Sequence, residues 1–343
     1  MTDSAKPLGE FDLIERFFKE RANQQLSQYP EITLGIGDDC ALIGQEKPFN
    51  SNDLKDLAIS TDMLVEGRHF LPNADPYLLG HKCLAVNLSD LAAMGARPLG
   101  FTLAIAMPAV NASWLEAFSN GLFDLAKQHQ CPLIGGDTTA GPLTISITVF
   151  GRVPGNQALT RDRAQVGDDI WVSHQVGDAR LALGAMRLEW PLASDELDAV
   201  AKRMHAPTPR VELGQNLLGV AHAAIDISDG LLGDLSHILR QSNVSAQVFI
   251  DQVPGSAVLN NKSLELQRLC KLMGGDDYEL CFTAPANQSD AIHAISKKLG
   301  ISLTAIGKIT PASSKLIELI DGDGHSLPEN LSAQYLKSFD HFK

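Results

Sequence analysis

Strand-length apolar runs alternate along this chain with longer segments whose apolar residues recur every three or four positions, and that alternation restricts the fold to a mixed α/β architecture. The strand candidates are Leu57–Ser60, Phe101–Met107, Leu143–Phe150, Ile170–Ser173, Gln247–Ile250 and Leu280–Thr283. Helical patterns occupy Gly9–Arg21, Tyr77–Gly95, Trp114–Gln128, Ala179–Leu188, Arg210–Ala223, Leu231–Gln241 and Ser289–Leu299. At 343 residues and 44% hydrophobic composition, the chain can bury the cores of two ordinary domains. The polar stretch Gly151–Asp169, with Gly and Pro between two apolar strands, marks the boundary and divides the chain into 1–152 and 153–343.

Acidic residues outnumber basic ones 41 to 28, for a formal charge of −13, the wrong sign for a surface that neutralises nucleic-acid phosphates. No nucleic-acid partner is expected. The longest apolar stretch, Leu99 to Val110, is too short for a bilayer and contains Thr102 and Pro108. The N-terminus lacks a cationic segment followed by an apolar one, so the expectation is a soluble, cytoplasmic protein without membrane attachment. Five scattered cysteines with no CxxC pair fit a reducing compartment better than a disulfide framework or zinc site.

The usual phosphate-binding signatures are missing. Gly307-Lys308 is followed by Ile309, which breaks the P-loop pattern, and Gly35-x-Gly37 runs into two aspartates instead of completing a dinucleotide fingerprint. Instead, aspartates sit beside Gly, Ser or Thr at the ends of apolar runs: Asp38 and Asp39 in GIGDDC, Asp62 in ISTD, Asp90 in NLSD, Asp137 in IGGDTT, and Asp226 and Asp229 in IDISDG. Small neighbours let an anion come close, and carboxylates are the hard oxygen ligands that Mg²⁺ takes when it also holds nucleotide phosphates. Two carboxylates roughly 4 Å apart repel by about 4 kcal/mol at an effective dielectric of about 20, so acids gathered by folding would require cations.

Each aspartate also has a plain structural reading. Ser228 or Asp229 could cap the helix that begins at Leu231, and Asp178 reads as a cap. Asp38, Asp39 and Asp137 could be solvated turn residues. Asp90 resists such a reading, because it lies within the apolar pattern Leu84, Leu88, Leu91, Met94, with Asn87 one turn earlier. A carboxylate there needs a partner. By default His69 is a packed or surface histidine and Cys40 a small buried hydrophobe.

The joint pattern resembles a known family. GEFDLIERFF, LGIGDDCAL, AISTDMLVEGRHF, KCLAVNLSDLAAMGARP, LIGGDTTAGPL, ALTR, AIDISDGL, GGDDYELCF and FDHF follow one another as in thiamine-monophosphate kinase, of the superfamily that includes aminoimidazole ribonucleotide synthetase, selenophosphate synthetase and the hydrogenase-maturation carbamoyl dehydratase. They cover nearly the whole chain. The reactive Cys or selenocysteine segment of selenophosphate synthetase and the C-terminal catalytic Cys of the maturation enzyme have no counterpart.

The resemblance implies ATP-dependent phosphorylation of thiamine monophosphate to thiamine diphosphate with several Mg²⁺ ions. It implies a two-domain aminoimidazole ribonucleotide synthetase-like α/β fold, in which the first-domain mixed sheets of a homodimer pair into a barrel. Family metal ligands fall on Asp39, Ser60, Thr61, Asp62, Asp90, Asp137, Asp226 and Asp229. Nucleotide contacts fall on Gly136, Asp137, Arg161 and Ser228, and substrate contacts on His69 and Asp276. Two positions depart from the pattern. The acid at Asp276 is commonly Glu, and an aromatic near the C-terminus falls on Leu336, with Tyr335 or Phe339 as alternative rings. No general base is expected, since a phosphate monoester is already ionised at neutral pH. Two other classes remain: an amidine-forming ATP-using ligase of the superfamily, against which GGDDYELCF and STDMLVEGRHF argue, and a non-catalytic metal-binding regulator.

Overall fold

The computed structural model describes residues 10–26, 28–44 and 55–336. The polypeptide forms two mixed six-stranded sheets. The first comprises β1 (Ile32–Leu34), β2 (Ala41–Ile43), β3 (Lys55–Val65), β4 (Arg97–Met107), β5 (Leu133–Ala140) and β6 (Thr144–Pro154), in the order β1-β2-β3-β6-β4-β5. Only β4 and β5 are parallel neighbours. The second comprises β7 (Asp168–Ser173), β8 (Ala223–Asp226), β9 (Ser245–Phe249), β10 (Leu280–Pro285), β11 (Leu303–Thr310) and β12 (Ile317–Ile320), in the order β12-β9-β11-β7-β10-β8. The boundary expected at 152/153 falls in the last residues of β6. Among the described residues no helix is long and apolar enough to cross a membrane.

Strand β3 shows how the sequence selects its two faces. With a period of two, Asp56, Ala58, Ser60, Asp62 and Leu64 share one face, and Lys55, Thr61 and Met63 turn to the other, exposed one. The inner face is covered by the helix Pro76–Ala93, which starts with Asp75 accepting the Leu78 N–H at 3.0 Å and Pro76 at its first position. Leu84, Leu88 and Leu91 of this helix are fully buried. The core they join continues into the second domain through Trp171, Ala224, Leu280 and Phe282, so the two domains share one packed interior. A second core, with Leu231, Leu235 and Ile238 of the helix Leu231–Gln241, lies on the other side of the second sheet.

The six expected strands correspond to β3, β4, β6, β7, β9 and β10, although β6 begins one residue after Leu143 and β9 ends one residue before Ile250. The expected helix Arg210–Ala223 is shorter. It spans Val211–Leu217, the chain reverses at Gly219 with φ of 75°, and Ala223 begins β8. The first expected helix is a run of Glu10–Ile14, a π-helical Glu15–Lys19 and Glu20–Leu26.

Candidate active site

Three chain segments converge on a group of acids, with Asp39 and Asp226 buried and Asp90 half-buried. Asp39 lies just before β2, Asp90 in the last turn of the Pro76–Ala93 helix, and Asp226 at the end of β8. Each presents a carboxylate oxygen, and the three oxygens lie within 4.8 Å of one another. Strand β3 adds Ser60, whose hydroxyl donates to Asp90 Oδ2, and Asp62, whose N–H donates to Asn87 Oδ1 at 3.1 Å. The Ser89 hydroxyl donates to Asp226 Oδ2 at 2.7 Å. The partner that an acid at position 90 requires is thus a strand hydroxyl on one side and further carboxylates on the other.

Burial and mutual repulsion govern the electrostatics. The Asp90 carboxyl is pushed well above the usual range by burial and then by Asp62, Asp226 and Asp39. Asp226 is raised by burial and by Asp39, with the Ser89 hydrogen bond opposing. Asp62 is pushed up to about 6 by burial and Asp39, and Asp38 to about 7 by burial and Asp39 against the pull of Arg161. Burial works against the Arg161 charge, but Asp39 and Asp38 outweigh it and hold the guanidinium protonated.

These shifts predict an unusual pH dependence for the cation-free protein. Folded-state pKa values above the ordinary 4 or so mean that the native state binds more protons than the unfolded chain, so stability falls as pH rises from about 4 through about 7. A shift of about two units at one site corresponds to roughly 3 kcal/mol. The melting temperature in chelator should be lower at pH 7.5 than at pH 5.5, and Mg²⁺ should remove the difference. An identical pH dependence with and without Mg²⁺ would show that these acids do not set it.

Arg161 connects the acidic loop to the second domain. Its N–H donates to Asp38 Oδ2 at 3.0 Å and its Nε to Asp39 Oδ2 at 3.4 Å, while its carbonyl accepts from Ser242 Oγ at 2.8 Å. Asp234, which carried no assignment from the sequence, is a further part of the site. Its Oδ2 accepts the N–H groups of Ser228, Asp229 and Gly230, each at 3.1 Å, and so fixes the loop between Asp226 and the next helix. The helix start at Gly230 has no side-chain cap, so neither Ser228 nor Asp229 plays the capping role their spacing allowed. Asp178 likewise is the first residue of its helix and accepts from Ser256 Oγ, with Gly177 in the cap position.

Other expected residues lie elsewhere. The Thr61 hydroxyl shares a 2.9 Å hydrogen bond with Thr148 on the exposed sheet face, away from the acids. Asp62, Ile147, Leu103 and Gly136 form one row across the sheet, which separates β3 from β5 by three strand spacings, or about 14 Å. Asp137 is exposed and pairs with Ala104, in the row of Met63 on the outer face. Within one chain the structure therefore does not bring Asp137 to the cluster. Gly136 has φ of 150°, and a Cβ there would lie 1.8 Å from the Leu103 carbonyl oxygen, so only glycine fits.

On the expected substrate side, His69 Nδ1 accepts the Val65 N–H at 3.0 Å, which leaves the ring proton on Nε2. Asp276 forms a 3.0 Å ion pair with Lys82 and accepts from the Tyr278 hydroxyl at 3.1 Å. Leu336 is 41% exposed after the helix Glu329–Tyr335, while Tyr335 is packed in the second core and Phe339 lies outside the described residues. All five cysteines are buried and free, Cys40 beside the acids among them. A second acidic group, Asp321, Asp323 and His325, lies in a turn where Asp321 Oδ1 accepts the N–H groups of the other two, which is a turn-forming role.

The donor set of the buried cluster suits a hard divalent cation. It consists of carboxylates with an adjoining hydroxyl and no sulfur or imidazole ligand, and its acids cannot all ionise without added positive charge.

Known proteins resemble this chain along nearly its whole length. Residues 37–153 match the AIR synthase related protein N-terminal domain and residues 165–318 the corresponding C-terminal domain. The thiamine-monophosphate kinase of Haemophilus influenzae is 43% identical over 338 residues, covering 98% of both chains. Among solved structures, thiamine-monophosphate kinase from Stenotrophomonas maltophilia is 45% identical with a TM-score of 0.75, covering 93% of this chain and 98% of that one. AaThiL complexed with AMPPCP and TMP is 26% identical with a TM-score of 0.77, covering 99% and 100%. With both domains matched in order and this identity sustained along nearly the whole length, the chain belongs to the thiamine-monophosphate kinase family.

Proposed function

We propose that this protein transfers the γ-phosphoryl group of ATP directly onto thiamine monophosphate, forming thiamine diphosphate, with several Mg²⁺ ions held by its aspartates. The observation that carries this reading is the convergence of buried Asp39, half-buried Asp90 and buried Asp226 from three separate segments into one group. The relative complexed with AMPPCP and TMP supports pairing a nucleotide with this acceptor.

Donor and acceptor are both anions, so the task for the protein is alignment and charge neutralisation. The chemistry that Mg²⁺ would supply when held by these residues is positive charge to offset that of the phosphates. Asp39, Asp62, Asp90 and Asp226 would hold the ions, with Ser60 orienting Asp90, Ser89 orienting Asp226, and Asp229 completing the set from the loop that Asp234 fixes. Thr61 can contribute only main-chain oxygen, since its hydroxyl faces the other side of the sheet. Arg161 and Ser228 would contact the nucleotide, and His69 and Asp276 the thiamine moiety. No residue need act as general base, and no phosphoenzyme is formed.

Arg163 provides a control for Arg161, because its Nη1 only reaches the Asn156 and Ala158 carbonyls at 3.4 Å. Arg161→Lys keeps the charge but loses the planar fork, so the KM for ATP or the turnover should worsen by about tenfold, against little change in Arg163→Lys. Equal effects would reduce Arg161 to general basicity.

We further propose a homodimer of cytoplasmic location. The outer face of the first sheet exposes Met63 (56%) and Ile134 (63%), and Asp137 on that side reaches a nucleotide site only if a second subunit brings one to it. Light scattering at micromolar concentration should give twice the 36.9 kDa chain mass; a single chain mass would contradict the pairing. The reaction itself is tested by incubation with ATP, Mg²⁺ and thiamine monophosphate. Thiamine diphosphate and ADP in equal amounts support the kinase, whereas ATP turnover without it, or no turnover, would favour a ligase or a regulator.

A further inference from the structure

Lys82 lies in the apolar part of the Pro76–Ala93 helix and is only 4% exposed, yet nothing in the transfer chemistry above uses it. A buried ammonium needs a partner, and this one reaches across the domain boundary to Asp276 Oδ2 at 3.0 Å. The other carboxylate oxygen, Oδ1, accepts from the Tyr278 hydroxyl at 3.1 Å. Both oxygens of Asp276 are thereby oriented, one from each domain. The loop that carries Asp276 is tied down as well: the Asp276 N–H donates to the Ser228 carbonyl at 2.9 Å and the Tyr278 N–H to the Ile227 carbonyl at 2.8 Å. Asp276 and Tyr278 hold positive φ values of 68° and 50°, conformations that non-glycine residues keep only when the surroundings impose them.

The helix that supplies Lys82 also supplies Asp90, eight residues later, a rise of about 12 Å along the axis. We propose that Lys82 is a positioning residue that holds Asp276 at a fixed separation from the phosphoryl-transfer centre at Asp90, so that one rigid helix sets the distance between recognition of the thiamine moiety and transfer to its phosphate. The inference rests on the reading of Asp276 as a substrate-binding acid. It accounts for why the shorter aspartate serves here, since Lys82 and Tyr278 define where its carboxylate stands.

Steady-state kinetics on the full-length protein test it, with Lys82→Met, Lys82→Arg, Asp276→Ala and the Lys82→Met/Asp276→Ala double variant, each checked for a cooperative melt. Lys82→Met should raise the KM for thiamine monophosphate about tenfold or more, the scale of a lost hydrogen bond to a charged group, while kcat and the KM for ATP change little. Lys82→Arg should restore most of the loss. Asp276→Ala should show the same selective rise, and the double variant should be no worse than either single one, because both act through one contact. Additive effects, or a fall in kcat and both affinities together, would make Lys82 an ordinary structural tie and overturn the proposal. A rise in KM with Asp276→Ala but not with Lys82→Met would overturn it while leaving the substrate reading intact. No rise with Asp276→Ala would remove that reading and the proposal with it. If Lys82→Met does not fold, Lys82→Gln replaces it in the same comparison, and a wild-type KM in that variant counts against the proposal.

Discussion

Asp90→Asn should reduce turnover by well over tenfold and leave the metal-free fold as stable as before, or more so. The substitution preserves shape and an acceptor oxygen for the Ser60 hydroxyl, so the local hydrogen bond survives. It removes a carboxyl whose charge is opposed by burial first and then by Asp62, Asp226 and Asp39, so the cluster no longer has to carry that charge when it ionises. The two consequences have opposite signs because the repulsion that destabilises the empty cluster is what a cation relieves. Melting curves in chelator, together with kcat at saturating Mg²⁺ and ATP, check both parts. Wild-type turnover in Asp90→Asn would remove the cluster from the mechanism.

Asp234→Ala should be the most damaging change outside the acids that face the cluster. Three N–H groups, those of Ser228, Asp229 and Gly230, would lose a shared acceptor, and Gly230 N–H is buried where water does not replace it. Relief of the carboxyl's burial, and then of repulsion from Asp229 and Asp226, offsets part of the loss. Hydrogen bonds to a carboxylate contribute about 1.5–3 kcal/mol each, so a net loss of roughly 3 kcal/mol is expected. That should lower the melting temperature by several degrees. Activity should fall too, since the same loop carries Asp226 and Asp229, and Asp234→Asn, which keeps an acceptor, should recover most of both. Unchanged melting and kinetics in Asp234→Ala would show that the loop holds itself.

The difference between Asp90 and Asp234 explains how much of the site was legible in the sequence. Both are acids set in an apolar helical stripe. Asp90 has no competing local explanation, whereas Asp234 follows a Ser-Asp-Gly pattern that reads as a helix start, which draws the capping possibility to Ser228 and Asp229 although neither caps. Lys82 is hidden similarly, because a lysine within a helix ordinarily extends its ammonium to solvent. Ser60 and Thr61 are adjacent in sequence, but the period of two in a strand sends their hydroxyls to opposite faces. Long apolar strands such as β4 and β6 were evident, while β5, built from IGGDTT, lacks an apolar pattern, and four-residue β8 merged with the helical spacing before it. The placement of Asp137 follows from strand order, which no local pattern encodes.

The central claim, direct metal-assisted transfer from ATP to thiamine monophosphate, is tested most directly by following label from [γ-³²P]ATP. The account predicts Mg²⁺-dependent appearance of the label in thiamine diphosphate, none in chelator, and none on the denatured protein at any time in a single turnover. Label trapped on the protein, or thiamine monophosphate left unlabelled while ATP is consumed, would contradict it.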